Sequence, residues 1–278
     1  MREILCSGQA RSLEFPYPGG MAALCWSPAG ERGELTVSLH YDGAYGMGEK
    51  YNAVNQKGHT AVNEVEEKFC FQGEKTYCPA PFFWTNTGFG LYAATDERTS
   101  FRFGEKAVCA ELPVDCRVVL FSGMPGEIIR DYMDLFGPAK LPPKWAFGPW
   151  ISANHWDSQE KVERAVAQAE EHGFPVCALV AEAWSDEATF YVFRGARYVP
   201  KPNGGAFRLE DFDFSDSPWP DPAGMVQRLH EKGIRFLLWQ IPVYKKQGPE
   251  EPLNAQNELD RADAVARGLC VHNADGRP

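Results

Sequence analysis

Three short stretches concentrate the residues that could do chemistry: Trp150-Ile-Ser-Ala-Asn-His-Trp156, Glu182-Ala-Trp-Ser-Asp-Glu187 and Trp239-Gln-Ile-Pro242. Each mixes flat aromatic faces with amides or carboxylates. A pyranose ring offers apolar C–H faces that stack on indole, and hydroxyls that need hydrogen-bonding partners, so the mixture suits a carbohydrate ligand. The plainer alternative is that the tryptophans fill core layers and that Glu182 belongs to a rim or structural ion pair. Recurrence at three separate places favours the carbohydrate reading. It makes Glu182 an acceptor for sugar hydroxyls, Trp184 and Trp239 sugar-facing walls, and Trp150 the floor of the pocket.

Other chemistries lack their signatures. Gly46-Met-Gly48 and Gly88-Phe-Gly90 have neither the third glycine nor the strand-to-helix setting of a dinucleotide fold, and read as turns. No phosphate loop and no G-x-S-x-G elbow occurs. The six histidines, His40, His59, His155, His172, His230 and His272, show no metal-ligand spacing, so neither a metal nor another cofactor is expected.

The elements that must position the three stretches follow from periodicity. From Trp145 onward, continuous apolar runs alternate with amphipathic ones. Strands are expected at Trp145–Ile151, Pro175–Ala181 and Arg235–Ile241, and helices at Ser158–Glu171, Ala223–Lys232 and Glu258–Arg267, with a further strand beginning at Leu269–Val271. Val162, Ala165, Val166 and Ala169 form one inward stripe. Gly173, Gly233 and Gly268 stop the helices. A long insertion runs from the second strand to about Trp219. Buried strands each followed by a helix indicate a parallel sheet, either open and doubly wound or closed into a barrel, and in a barrel the carboxyl ends of the strands carry the site. The three chemical stretches fall at those ends.

Upstream the text is different. Met1 to about Gly123 is punctuated by Gly, Pro, Asn and Asp, and carries short β-branched and aromatic runs such as Gly33–His40, Gly88–Ala94 and Asp115–Phe121. An antiparallel β-sandwich is expected there. A helix follows over Gly126–Phe136, with Ile128, Tyr132, Leu135 and Phe136 on one stripe, and Ala139–Lys144 reads as a junction.

Composition sets the outer bounds. The chain has 278 residues, 28 Lys+Arg against 38 Asp+Glu and a net charge of −10, which disfavours a nucleic-acid partner. Apolar residues make up 44% and no apolar run approaches the roughly 18 residues of a membrane span, so no membrane partner is expected. The N-terminus lacks a signal-peptide pattern, and the eight cysteines, Cys6, Cys25, Cys70, Cys78, Cys109, Cys116, Cys177 and Cys270, include no C-x-x-C pair. Reduced thiols in a cytoplasmic protein are the expectation.

Three ordered segments carry a family resemblance: Tyr45-Gly-Met-Gly-Glu-Lys-Tyr-Asn-Ala-Val-Asn-Gln-Lys-Gly58, Pro142-Pro-Lys-Trp-Ala-Phe-Gly-Pro-Trp150 and Val180-Ala-Glu-Ala-Trp-Ser-Asp-Glu-Ala-Thr-Phe190. Together they resemble glycoside hydrolase family 31, over nearly the whole chain. The resemblance implies an N-terminal β-sandwich (1–123), a helix and linker (124–144), and the first three βα units of an incomplete (β/α)8 barrel (145–278). It also implies a retaining α-glycosidase acting on terminal α-linked sugars. The family's two reacting carboxylates follow barrel strands four and six, so both are expected beyond this chain, and no catalytic residue is assigned within it. Where many members place Asp-x-Asp at the end of strand two, this chain has Ala181-Glu-Ala-Trp-Ser185, with Glu182 in a shifted position. An α-glucan lyase and a non-catalytic carbohydrate-binding protein are the alternatives. The expected partner in every case is a carbohydrate; oligomeric state does not follow from the sequence.

Overall fold

The computed structural model describes residues 1–66, 75–187, 189–201, 204–251 and 253–278. Cys70 lies outside them. The chain divides into two compact units, Met1–Lys140 and Leu141–Pro278.

The first unit holds eleven strands among the described residues: β1 Arg2–Cys6, β2 Arg11–Tyr17, β3 Gly20–Ala29, β4 Arg32–Ser38, β5 Ala44–Gly48, β6 Thr60–Asn63, β7 Pro79–Thr85, β8 Phe89–Ala94, β9 Thr99–Phe103, β10 Ala107–Pro113 and β11 Cys116–Ser122. They form two antiparallel sheets, ordered β1-β11-β8-β7-β5 and β2-β3-β4-β10-β9-β6. One continuous apolar core joins Ile4, Phe89, Leu91, Val118 and Leu120 of the first sheet to Phe15, Leu24, Trp26, Val37 and Phe101 of the second. The period-2 alternation of strands such as β3 and β4 sends these side chains inward and polar neighbours outward. Two aromatic polar tips at the core's margin are satisfied: Trp26 Nε1 donates to the Ser7 carbonyl (2.6 Å) and Tyr17 OH to the His40 carbonyl (2.9 Å).

β11 is apolar on both faces for a reason. Val118 and Leu120 enter the sheet-to-sheet core, while Val119 and Phe121 meet helix α1, Pro125–Asp134. α1 begins at a proline, its Glu127 carboxylate accepts from Met124 N (2.7 Å), and its Tyr132 ring lies flat on Phe82, centroids 3.7 Å apart.

Gly46-Met-Gly48 is no turn. It is the end of β5, where the register against β7 shifts between Gly46 and Gly48. Gly48 has φ 78°, and a Cβ there would collide with the Cys78 carbonyl, so the irregular strand needs glycine.

The second unit is a three-stranded parallel sheet, β12 Trp150–Ala153, β13 Ala178–Ala181 and β14 Arg235–Leu238, in that order, with helices α2 Gln159–Glu171, α3 Pro222–Glu231 and α4 Asn254–Ala266. Ser158 caps α2 by accepting from Lys161 N, and Asp221 caps α3 by accepting from Gly224 N (3.0 Å). Val162 and Val166 of α2 and Met225 and Leu229 of α3 pack with Leu179, Ala181, Trp184 and Trp219.

Several expected bounds are corrected. Lys144–Phe147 is a 3-10 turn and the strand starts only at Trp150. The second and third strands are likewise cut to four residues. α4 starts four residues earlier than apolar periodicity indicates, because its first buried face is polar: Gln256, Asn257 and Asp260. Leu269–Val271 forms no strand. The seven described cysteines are free thiols. Among the described residues no helix is long and apolar enough to cross a membrane, and no cluster of His, Cys, Asp or Glu could hold a metal.

Candidate functional site

Parallel register decides what the strand ends share. Ala153 pairs with Ala181, and Ala181 with Leu238. One residue further on, at a common level beyond the carboxyl edge of the sheet, stand Asn154, Glu182 and Trp239. All three line a cleft of about 390 Å3, together with Ala183, Ser185, Glu187, Phe190 and Arg194.

Each of the main groups is held from below. The Glu182 carboxylate accepts from Ser152 Oγ on the neighbouring strand, which fixes one oxygen and leaves acceptor capacity on the other. The Trp239 backbone is tied twice: its N–H donates to the Ala181 carbonyl (2.9 Å), and its carbonyl accepts from the Trp184 indole N–H (2.6 Å). Its ring is left free, 48% exposed, as a flat apolar face. Arg194 N donates to the Trp184 carbonyl (2.9 Å), and the Arg194 guanidinium lies 4.0 Å from Asp157. Asp157 is held below the usual carboxylate range, chiefly by the hydrogen bond it accepts from Lys161 Nζ (2.6 Å).

Of the four residues read from the sequence, the structure brings Glu182 and Trp239 together and separates the other two. Trp184 is 4% exposed and packed edge-on against Phe193 (4.9 Å) inside the core. It is no open wall; it is the support beneath Trp239. Trp150 is at the opposite end of the sheet, paired in register with Ala178, the first residue of its strand. Its ring stacks on Trp145 (5.7 Å, 29°), and the Arg235 guanidinium lies 5.9 Å from the Trp145 ring. The floor assignment fails because the strand is four residues long: Trp150 lies at its start, about 10 Å from its carboxyl end.

Sequence reasoning missed Arg194 and Phe190 as lining groups. Phe190 closes the third of the family-like segments with no role assigned to it there, and nothing in the spacing of Arg194 marks it. Asn154, Ser185 and Glu187 stood inside the stretches that were singled out. Chemically the cleft offers two carboxylates, an amide, a guanidinium and two aromatic rings. Such a set can hold a neutral polyol by paired hydrogen bonds and apolar stacking.

Residues 139–278 match the family model for the glycosyl hydrolases family 31 TIM-barrel domain. The chain belongs to glycosyl hydrolase family 31. It is 33% identical over 269 residues to the 1,3-alpha-isomaltosidase of Kribbella flavida, covering 92% of this chain and 37% of that protein. It is 32% identical over 243 residues to the isomaltosyltransferase of Sporosarcina globispora, covering 84% of this chain and 22% of that one. Among solved structures it is similar to the cycloalternan-degrading enzyme from Trueperella pyogenes in complex with isomaltose, with a TM-score of 0.77 and 34% identity over 92% of this chain and 39% of that one. The family 31 chain thus spans less than two-fifths of each of these relatives.

Proposed function

We propose that this chain forms the β-sandwich and the first three βα units of the (β/α)8 barrel of a retaining enzyme that acts on α-linked glucosyl saccharides. Within it, the cleft around Glu182 and Trp239 is part of the sugar-binding site. The observation that carries this reading is the register: three strand ends deliver an amide, a carboxylate and an indole face to one level of one cleft. The names of the relatives point to isomaltosyl units as the substrate class.

The chemistry assigned to these residues is binding and orientation. Glu182 accepts from one or two sugar hydroxyls while Ser152 locks its rotamer, and Trp239 takes a C–H face of the ring. Bond cleavage belongs to two carboxylates at the short separation a retaining mechanism requires. One forms the covalent glycosyl intermediate and the other protonates the leaving oxygen. We place both outside these three βα units, so hydrolysis and transfer to a second sugar share the binding residues seen here. A cytoplasmic location is part of the same proposal.

The test is kinetic, on the full-length protein with an isomaltose-containing oligosaccharide. Glu182→Gln removes a charge-assisted acceptor and should lower kcat/KM by about 30- to 1000-fold, a cost of about 2–4 kcal/mol. A folded Glu182→Gln protein with unchanged kcat/KM would take that residue out of the site.

A further inference from the structure

Phe190 has φ 63°, in the left-handed region that bulky side chains avoid. Such a conformation persists only where its surroundings over-determine it, and here they do. The Asp186 carboxylate accepts from Thr189 N (2.8 Å) and from Thr189 Oγ1 (2.7 Å). That hydroxyl oxygen in turn accepts from Tyr191 N (3.3 Å) and Val192 N (3.2 Å), and Phe190 N donates to the Asp186 carbonyl (3.1 Å). The next residue, Tyr191, is committed in another direction: its hydroxyl donates to Asp260 Oδ2 on α4 (2.6 Å), and its ring meets Tyr244 edge-on (5.6 Å).

Among the described residues the strained ring joins no apolar core cluster in return. Phe190 is half-buried and is absent from the apolar cluster of the second unit. It lines the cleft that Glu182 and Trp239 line, with the Lys245 ammonium 5.6 Å from its centroid. A conformation that costs stability, is enforced by a closed hydrogen-bond circuit and ends with an aromatic ring in a ligand cleft is explained by what the ring does there.

We propose that Phe190 is a specificity-determining residue, a second aromatic wall that meets the C–H surface of a pyranose held by Glu182 and Trp239. This rests on the sugar-cleft reading above. It further holds that the bonds joining Asp186 to Thr189 and Phe190, and Thr189 to Tyr191 and Val192, serve to present that ring.

The experiment uses the full-length protein, with kcat and KM for an isomaltose-containing oligosaccharide measured beside the melting temperature. Phe190→Gly removes the ring and relieves the backbone. It should lower kcat/KM about ten- to hundredfold, mostly through KM, with a melting temperature equal to or above that of the parent. Phe190→Tyr keeps the wall and should stay within about threefold. A purely structural ring would give the opposite pattern, a lower melting temperature with kcat/KM per folded molecule unchanged, and that result overturns the proposal. So does a folded Phe190→Gly with kcat/KM within about twofold of the parent. Glu182→Gln and Trp239→Ala run in parallel separate the two readings. If both retain full kcat/KM, the cleft is not the sugar site and the assignment of Phe190 falls with it. If both lose activity while Phe190→Gly does not, Phe190 alone is removed.

Discussion

Four residues chosen by type and position have three different fates: burial sets Trp184 apart, and place along the strand sets Trp150 apart from Glu182 and Trp239. Glu182 was legible as a cleft-lining residue because it stands immediately beyond the apolar run Pro175–Ala181, whereas Trp239 is expected inside a strand reaching Ile241 and stands at the cleft because that strand ends at Leu238. Trp184 and Trp150 carry the same side chain as Trp239, so composition could not distinguish a ring packed in the core from one facing solvent. The difference is testable. Trp184→Phe deletes the N–H that holds the Trp239 carbonyl. It should destabilise the second unit by about 1–3 kcal/mol and also raise KM, because the wall above loses its anchor. Trp239→Ala removes a half-exposed ring. It should raise KM, with stacking accounting for about 0.5–1.5 kcal/mol beyond area, and leave the melting temperature nearly unchanged. Trp150→Ala removes an equally exposed ring but one that stacks on Trp145 at the far end of the sheet, so it should lower the melting temperature modestly while kcat/KM per folded molecule stays constant.

Among the elements, α4 shows what an apolar period cannot report. Its buried face opens with a polar row. Gln256 accepts from Lys201 N (2.6 Å) and donates to the Gly205 carbonyl (3.0 Å), and Asn257 donates to the Lys245 carbonyl (2.9 Å). Asp260 accepts from Tyr191 OH, Phe207 N and Gln256 Nε2. The insertion after β13 is thereby fastened to the helix after β14, while its own rings, Tyr198, Phe207, Phe212 and Phe214 among them, pack against one another. Asp260→Ala would take the acceptor from Phe207 N and leave Tyr191 OH with Asn257 Oδ1 and Gln256 Nε2 with the Gly205 carbonyl, at a cost of about 1–3 kcal/mol, and should raise KM by loosening Tyr191 and its neighbour Phe190. Denaturant titration with parallel kinetics checks both.

A second element-scale case is the β1–β11 pair, where Cys6 faces Cys116 in register. Burial pushes Cys6 up to about 12 and Cys116 up to about 11. Both fold as neutral thiols, so their contribution to stability is fully present below the ordinary thiol range near 9. It is lost as pH rises toward the folded values. Tyr191, raised by burial and by its bond to Asp260, acts in the same direction at higher pH. The denaturation midpoint should hold steady from about pH 7 to 9 and fall above that, with Cys6→Ala flattening the early part of the decline. A thiol reagent at about pH 8 should label the exposed Cys25 and Cys78 and spare Cys6 and Cys116 until the chain unfolds.

At the scale of the whole molecule, the change from period-2 alternation to βα alternation was legible because it needs only the pattern of apolar positions. Strand ends within the second unit were not, since an apolar run such as Trp145–Ile151 reads alike whether it is extended or coiled into a 3-10 turn. The two units differ in how completely they bury themselves. In the first, two sheets close over one continuous core, and helix α1 covers the outer face of one of them. In the second, a three-stranded sheet has β12 and β14 as its outer strands, each hydrogen-bonded on one side to β13. Both units have edge strands, but the second rests on a smaller core, which makes for lower stability and easier local opening. The chain should therefore unfold in two steps, the second unit first. Limited proteolysis should cut between Phe136 and Lys144, where the backbone is exposed and carries no strand pairing, and leave a stable product of about Met1–Lys140. That product, expressed alone, should give a cooperative thermal transition matching the upper step of the longer chain. A single transition in the longer chain, or first cuts inside β4 or β8, would mean that the first unit is not an independent folding unit.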